Sequence, residues 1–190
     1  MHRRRFLGST LGSLAFAACG GPRTLAAAQA CAAQRTARDI EGPFYVPGAP
    51  THSELVDAPR LRISGRVRDT ACRPLPGAVI EVWQADPEGE YDLDGHAFRG
   101  VLRADADGAY TLGTVSPGRY RIGATYRPAH IHVKVHATGR PPLTTQLYFP
   151  HDPYNDADPW HRASLELRFA PLGCSDPRLQ VRRARFDFVV

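Results

Sequence analysis

The stretch "LRISGRVRDTACRPLPGAVIEVWQ", Leu61 to Gln84, reads as a strand, a turn and a second strand. The turn holds Pro74, Pro76 and Gly77, residues that end extended runs and start tight ones. A pair of strands joined this way is a common entry into a β-sandwich, and taken alone it carries no chemistry.

Outward from this pair, similar runs recur between Gly, Pro and Asp punctuation: Phe98–Arg103, Tyr110–Val115, Arg119–Gly123, His130–His136, Leu143–Phe149, Ser164–Phe169 and Leu179–Val189. No stretch keeps an apolar period of 3.6 over three turns, and 17 Gly and 17 Pro favour turns over helices. The predicted fold is all-β, a sandwich of eight to nine strands of the transthyretin (prealbumin) type. With 190 residues, 43% hydrophobic and 23% charged, the chain suits one domain with a real core.

Residues 1–30 read as an export signal. Arg3, Arg4 and Arg5 precede a mildly apolar run from Phe6 to Ala18 that contains no acidic residue. Such a run is too short to span a bilayer as a helix but suits a signal peptide. Consecutive arginines before Phe-Leu resemble a twin-arginine signal, which carries folded proteins and so favours a prosthetic group. "FAAC", ending at Cys19, resembles a lipobox that would make Cys19 a lipid-anchored N-terminus. The small residues of "AAAQA" allow cleavage near Ala30 instead, and both routes stay open. Residues 31–38 are linker, residues 39–190 the domain, and the expected location is the periplasm or cell envelope.

The basicity belongs to the leader. Without residues 1–30 the net charge falls from +5 to +1, with 20 basic and 19 acidic residues left. A nearly neutral domain argues against nucleic-acid binding. Cys19, Cys31, Cys72 and Cys174 form no Cys-x-x-Cys pair, which argues against a zinc ribbon or a redox motif. Export permits a disulfide, and Cys72–Cys174 is the expected one, with Cys31 left over.

"RPAHIHVKVH", Arg127 to His136, holds the candidate chemistry. In a strand His130, His132, Lys134 and His136 share one face, and Ile131, Val133 and Val135 share the other. By itself His-x-His describes a solvated basic face, so convergence with other ligands decides. Tyr91, after "WQADPEGE", and Tyr120, closing "SPGRY", sit at strand ends where functional residues are displayed. Two imidazoles and two phenolates would form a hard, anionic site suited to ferric iron rather than zinc or calcium.

The order Tyr91 in "GEY", Tyr120 in "PGRY", then "RPAHIH" resembles the intradiol ring-cleavage dioxygenases, the catechol and protocatechuate dioxygenase family. "EGPFYVPGAP" (41–50), "GRVRDTACRPLPGAVIEVWQADPEGEYD" (65–92), "FRGVLRADADGAYTLGTVSPGRY" (98–120) and "LTTQLYFPHDP" (143–153) look like family segments in family order. The resemblance implies a β-sandwich with a non-haem Fe(III) at its edge, held by Tyr91, Tyr120, His130 and His132. It implies Arg127 beside the substrate, Gln146 behind the metal, and Tyr120 as the ligand that leaves and takes a proton. The implied reaction cleaves an ortho-diphenol with O2 between its hydroxyl-bearing carbons, giving a muconic-type diacid. The implied partners are the small aromatic diol and O2, with homo-oligomers usual in the family.

Two features depart from the pattern. The Tyr120–His130 segment is shorter than expected and contains Tyr126, which could in principle compete as a ligand, but Tyr120 is preferred because "SPGRY" matches the family context. Only linker precedes Asp39, where catechol-type enzymes carry a helical region. "EGPFYVPGAP" looks catechol-like and "QLYFPHDP" closer to protocatechuate enzymes, so the diphenol stays open. His151, Tyr148 and Tyr154 are candidates for the pocket mouth or for plain loop surface. The alternative function is an exported transthyretin-like binding or carrier module, in which the four ligands need not meet.

Overall fold

The computed structural model describes residues 34–171 and 181–190. Its strands are β1 (Leu61–Arg68), β2 (Val79–Gln84), β3 (Arg99–Arg103), β4 (Ala109–Thr114), β5 (Arg121–Ile122), β6 (Thr125–Tyr126), β7 (His130–His136), β8 (Leu143–Tyr148), β9 (Arg168–Phe169), β10 (Arg182–Arg185) and β11 (Phe188–Val189).

β1 organises the first sheet. Its even alternation buries Leu61, Ile63 and Val67 completely and leaves the residues between them half-buried. One edge pairs antiparallel with β4, the other parallel with β10 and then β11, and β9 extends the sheet beyond β10. Between β10 and β11 the chain bulges at Phe186 and Asp187. The Phe186 N–H donates to the Ser64 carbonyl (3.1 Å), and Asp187 Oδ1 accepts the Arg66 N–H (2.9 Å) in place of a backbone partner. A Cβ at Gly65 would collide with the Phe186 carbonyl oxygen, so the bulge requires glycine there.

The second sheet has the order β3-β2-β7-β8 and is antiparallel throughout. Inner faces of both sheets meet in one cluster that includes Ile63 and Leu112 from the first and Ile80, Val82, Ile131, Val133, Val135 and Leu147 from the second. Each such side chain contributes about 1.5–3 kcal/mol on full burial. That energy sets the register of β7: a slip by one residue would turn Ile131 outward and both histidines into the core. In the observed register His130 and His132 face away from the core, on the outer face of the second sheet where β7 begins.

Three predicted runs differ in detail. Arg119–Gly123 is not one strand; β5 turns back at once and pairs with β6 as a small exposed hairpin. Ser164–Phe169 begins as a 3-10 turn, Ala163–Leu165, and becomes a strand only at β9. The last run is split by the bulge, and its first residues lie outside the described ones. Among the described residues eleven short strands therefore stand where about eight to nine were expected. Cys72, in left-handed backbone conformation (φ 64°), is disulfide-bonded. Its expected partner Cys174 lies outside the described residues, as do Cys19, Cys31 and the whole of residues 1–30.

Candidate metal centre

β7 delivers the histidines and its neighbours supply the walls. His130 pairs across the ladder with Tyr148 of β8, and His132 with Gln146 of β8 and Trp83 of β2. Trp83 stacks flat on the His132 ring (4.9 Å between centroids, 8° between planes). Gly42, at φ +72°, closes over the same ring, where a Cβ would stand 3.2 Å from His132 Cε1. Both imidazoles are almost wholly buried.

Tyr91 sits on the loop after β2. Asp86 organises that loop by accepting the N–H groups of Glu88 (2.9 Å) and Glu90 (2.8 Å) on one carboxylate oxygen. Arg99, 1% exposed, locks the far side by donating to the Asp92 carbonyl (3.1 and 2.6 Å) and the Phe44 carbonyl (2.9 Å). Phe44 thereby lies parallel to the Tyr91 ring (4.3 Å). Tyr120 ends the loop after β4, and its carbonyl accepts the Arg127 N–H (2.9 Å), closing the base of the β5–β6 hairpin.

The four rings converge. Centroids lie 5.5 Å apart for Tyr91–Tyr120 and Tyr120–His130, 4.7 Å for His130–His132 and 6.2 Å for Tyr91–His132. His130 Nδ1 is 2.7 Å from the Pro128 carbonyl, which can only accept, so Nδ1 carries the proton and Nε2 presents a lone pair. That Nε2 lies 3.1 Å from His132 Nε2. Burial first, then the positive Arg127, pushes His130 down to about 3. Burial first, then His130, holds His132 well below the ordinary imidazole range. Both therefore stand as neutral donors at physiological pH. Burial, reinforced by the Tyr120 phenol, raises Tyr91, and burial raises Tyr120 against the opposing pull of Arg127. The Tyr91 hydroxyl is buried with no hydrogen-bond partner.

Among the described residues no three His, Cys, Asp or Glu gather at one point; what gathers is two imidazoles and two phenols. An orphaned buried hydroxyl costs about 1–3 kcal/mol. The Tyr91 ring lies 5.5 Å from that of Tyr120 and 6.2 Å from that of the neutral His132, and this set of phenols and imidazoles fits a metal that takes phenolate, the donor set of a hard trivalent ion.

Arg127 and Gln146 both reach this cluster. Arg127 donates to Tyr120 Oη (3.3 Å), Gln146 Oε1 (2.9 Å) and Tyr148 Oη (3.2 Å), and pairs through Nε with Asp158. Both members of that pair are buried, and the guanidinium lies 4.6 Å over the Trp160 ring. Gln146 Nε2 donates to the Ile40 carbonyl (2.9 Å), tying the entering chain to the sheet. Tyr148 is neither mouth nor loop surface; it is fully buried on β8 and donates to Asp39 (2.9 Å). His151 and Tyr154 line a neighbouring cavity of about 650 Å³. Tyr126 stays outside the cluster, 39% exposed, with its ring beside Tyr154 (5.4 Å). Phe44, Arg99, Asp158 and Trp160 were missed by sequence reasoning; each is a loop or strand-end residue whose role depends on a distant partner.

Residues 40–190 match the profile of a family described as Dioxygenase. Chlorocatechol 1,2-dioxygenase of Rhodococcus opacus is 36% identical over 162 residues, 70% of this chain and 63% of the relative. The chain belongs to the intradiol ring-cleavage dioxygenase family. Another relative, catechol 1,2-dioxygenase 2 of Acinetobacter lwoffii, is 39% identical over 145 residues, 63% of this chain and 53% of the relative. The match thus spans about six tenths or less of the length of these two curated dioxygenases. Among solved structures, the dioxygenase domain of a dioxygenase–carbohydrate-binding fusion from Streptomyces sp. SirexAA-E superposes with a TM-score of 0.73 at 42% identity, covering 82% of this chain and 97% of that one. Hydroxyquinol 1,2-dioxygenase of Pseudomonas putida DLL-E4 superposes with a TM-score of 0.72 at 29% identity, covering 82% and 66%. The sandwich is therefore the fold of intradiol dioxygenases.

Proposed function

We propose that this chain holds a non-haem Fe(III) on Tyr91, Tyr120, His130 and His132 and cleaves an ortho-diphenol with O2 between its hydroxyl-bearing carbons, giving a muconic-type diacid. The observation that carries this reading is the buried, partnerless Tyr91 hydroxyl among two neutral imidazoles and a second phenol. Family membership supports the reaction class, and the convergence favours an enzyme over a non-catalytic sandwich.

Held by Tyr91, Tyr120, His130 and His132, ferric iron would supply a Lewis acid that keeps phenols ionised at neutral pH. The protein does the rest. Trp83, Phe44 and Gly42 hold the ligand rings and exclude water from their inner faces. Tyr120 would be held as phenolate while the metal is bound, and in that form its Oη, which Arg127 contacts (3.3 Å), could take the proton given up by an incoming diphenol. Arg127, fixed by Asp158 and Gln146, keeps donors aimed at negative charge that develops on the ring oxygens.

The reaction is tested with the iron-loaded chain, catechol and ¹⁸O₂. The product is expected to be a ring-opened diacid carrying both labelled oxygen atoms. Release of label into water, or a product with an intact ring, would overturn the assignment. The reading extends to location: Arg3–Arg5 and the Phe6–Ala18 run support export. Cell fractionation should then find the full chain in the envelope or periplasm, and an Arg4→Lys/Arg5→Lys variant in the cytoplasm.

A further inference from the structure

Beside the metal centre lies an open cavity of about 390 Å³, with Phe44, Tyr91 and Tyr120 among its lining residues. A single benzene ring fills a cavity of roughly 150 Å³, so a bare diphenol would leave more than half of this one to solvent. The surplus space has an apolar margin. Among the described residues the exposed large hydrophobics are Leu93 (54%), Ile122 (48%) and Tyr126 (39%). Leu93 and Tyr126 line this cavity, and Ile122 follows the lining residue Arg121 at the tip of the β5–β6 hairpin. Apolar side chains gathered at one pocket mouth mark a contact surface, whereas single exposed ones are ordinary.

The charges at the margin choose the occupant. Glu88 and Glu90 line the cavity, and Arg119 is committed to Asp152 (2.8 Å). Two carboxylates then face one guanidinium, Arg121, whose charge lies 5.6 Å over the Tyr126 ring. Such a margin disfavours an anionic substituent.

Resting on the function proposed above, we propose that the substrate is an ortho-diphenol bearing an extended, uncharged aryl or alkyl arm. The diol end reaches Tyr91 and Tyr120, and the arm lies against Leu93 and Tyr126. The cavity holding His151 and Tyr154 shares Arg119 and Tyr126 with this one, so a longer arm has room to continue over the Tyr126 ridge.

The test compares catechol, 4-(2-phenylethyl)catechol and 3-(3,4-dihydroxyphenyl)propanoate. Binding is measured by calorimetry on the metal-free full chain, and kcat/KM on the iron-loaded chain. The phenylethyl compound is expected to bind and react about tenfold better than catechol, the return on burying roughly 60 Å² of apolar surface. The propanoate should gain nothing. Leu93→Ser and Tyr126→Ser, both at exposed positions, should bring the phenylethyl-to-catechol ratio towards one. Turnover of catechol with no preference for the phenylethyl compound overturns this inference and leaves the ring-cleavage reading standing. Turnover of none of the three overturns both. A dimer that Leu93→Ser converts to monomer, with the substrate ratio unchanged, assigns the apolar margin to self-association and overturns the inference.

Discussion

Tyr91 is the residue at which stability and chemistry oppose each other. Its hydroxyl is buried with no partner in the metal-free protein. Tyr91→Phe removes that orphan and should raise the stability of the metal-free chain by about 1 kcal/mol in urea denaturation, while iron content and ring cleavage collapse. His130 carries the complementary pH prediction. Its imidazole titrates near 6.5 when unfolded and near 3 when folded, chiefly because it is buried. A depressed folded value means that the unfolded chain takes the proton first as pH falls. The metal-free protein is therefore fully stabilised above about pH 6.5 and loses about 1.4 kcal/mol per pH unit from this group between there and pH 3. Denaturation midpoints at pH 7, 6 and 5 check the slope. The four rings that converge could be singled out from sequence because "RPAHIH" and the two tyrosine contexts are local strings. Arg99 could not be, because its role is to bind carbonyls of Phe44 and Asp92, and a carbonyl leaves no trace in residue identity.

Among the elements, β1 and β7 were legible to the residue, since each alternates strictly between core and outer face. The weaker runs failed where tertiary contacts rather than period decide. Arg119–Gly123 turns back as a hairpin at Gly123, and the last run breaks because Phe186 must give its carbonyl to the Tyr110 hydroxyl (2.8 Å). Gly65→Ala should therefore destabilise the fold by about 3 kcal/mol, since a methyl group there meets backbone that cannot yield; chemical denaturation reads this directly. The loop after β8 holds the other hidden element. Asp158 accepts the N–H groups of Trp160 (2.9 Å) and His161 (3.1 Å) and at the same time pairs with Arg127. Asp158→Asn leaves a buried guanidinium without its counter-charge and should cost about 3 kcal/mol. Because Arg127 then loses its fixed direction, kcat is expected to fall at least about tenfold with iron content retained, which separates positioning from unfolding.

For the whole molecule, one core built from two sheets places the site on the outer face of one of them, so packing and chemistry occupy opposite sides of β7. That separation is why the fold class could be read from strand periodicity and the converging ring cluster from a few local motifs, while the walls and margin of the cavity could not. A ligand that joins residues from two loops and a strand should also stabilise the whole. Iron at about a thousand times its dissociation constant is expected to raise Tm by roughly 10 °C, a rise abolished in His132→Ala. The most direct measurement of the central claim is the visible spectrum of the iron-loaded chain before and after catechol is added without oxygen. Tyrosinate bound to ferric iron absorbs visible light, so the account predicts a coloured protein whose band shifts with catechol and is lost in Tyr91→Phe. A protein that takes up iron but stays colourless, or keeps its band unchanged in Tyr91→Phe, would contradict it.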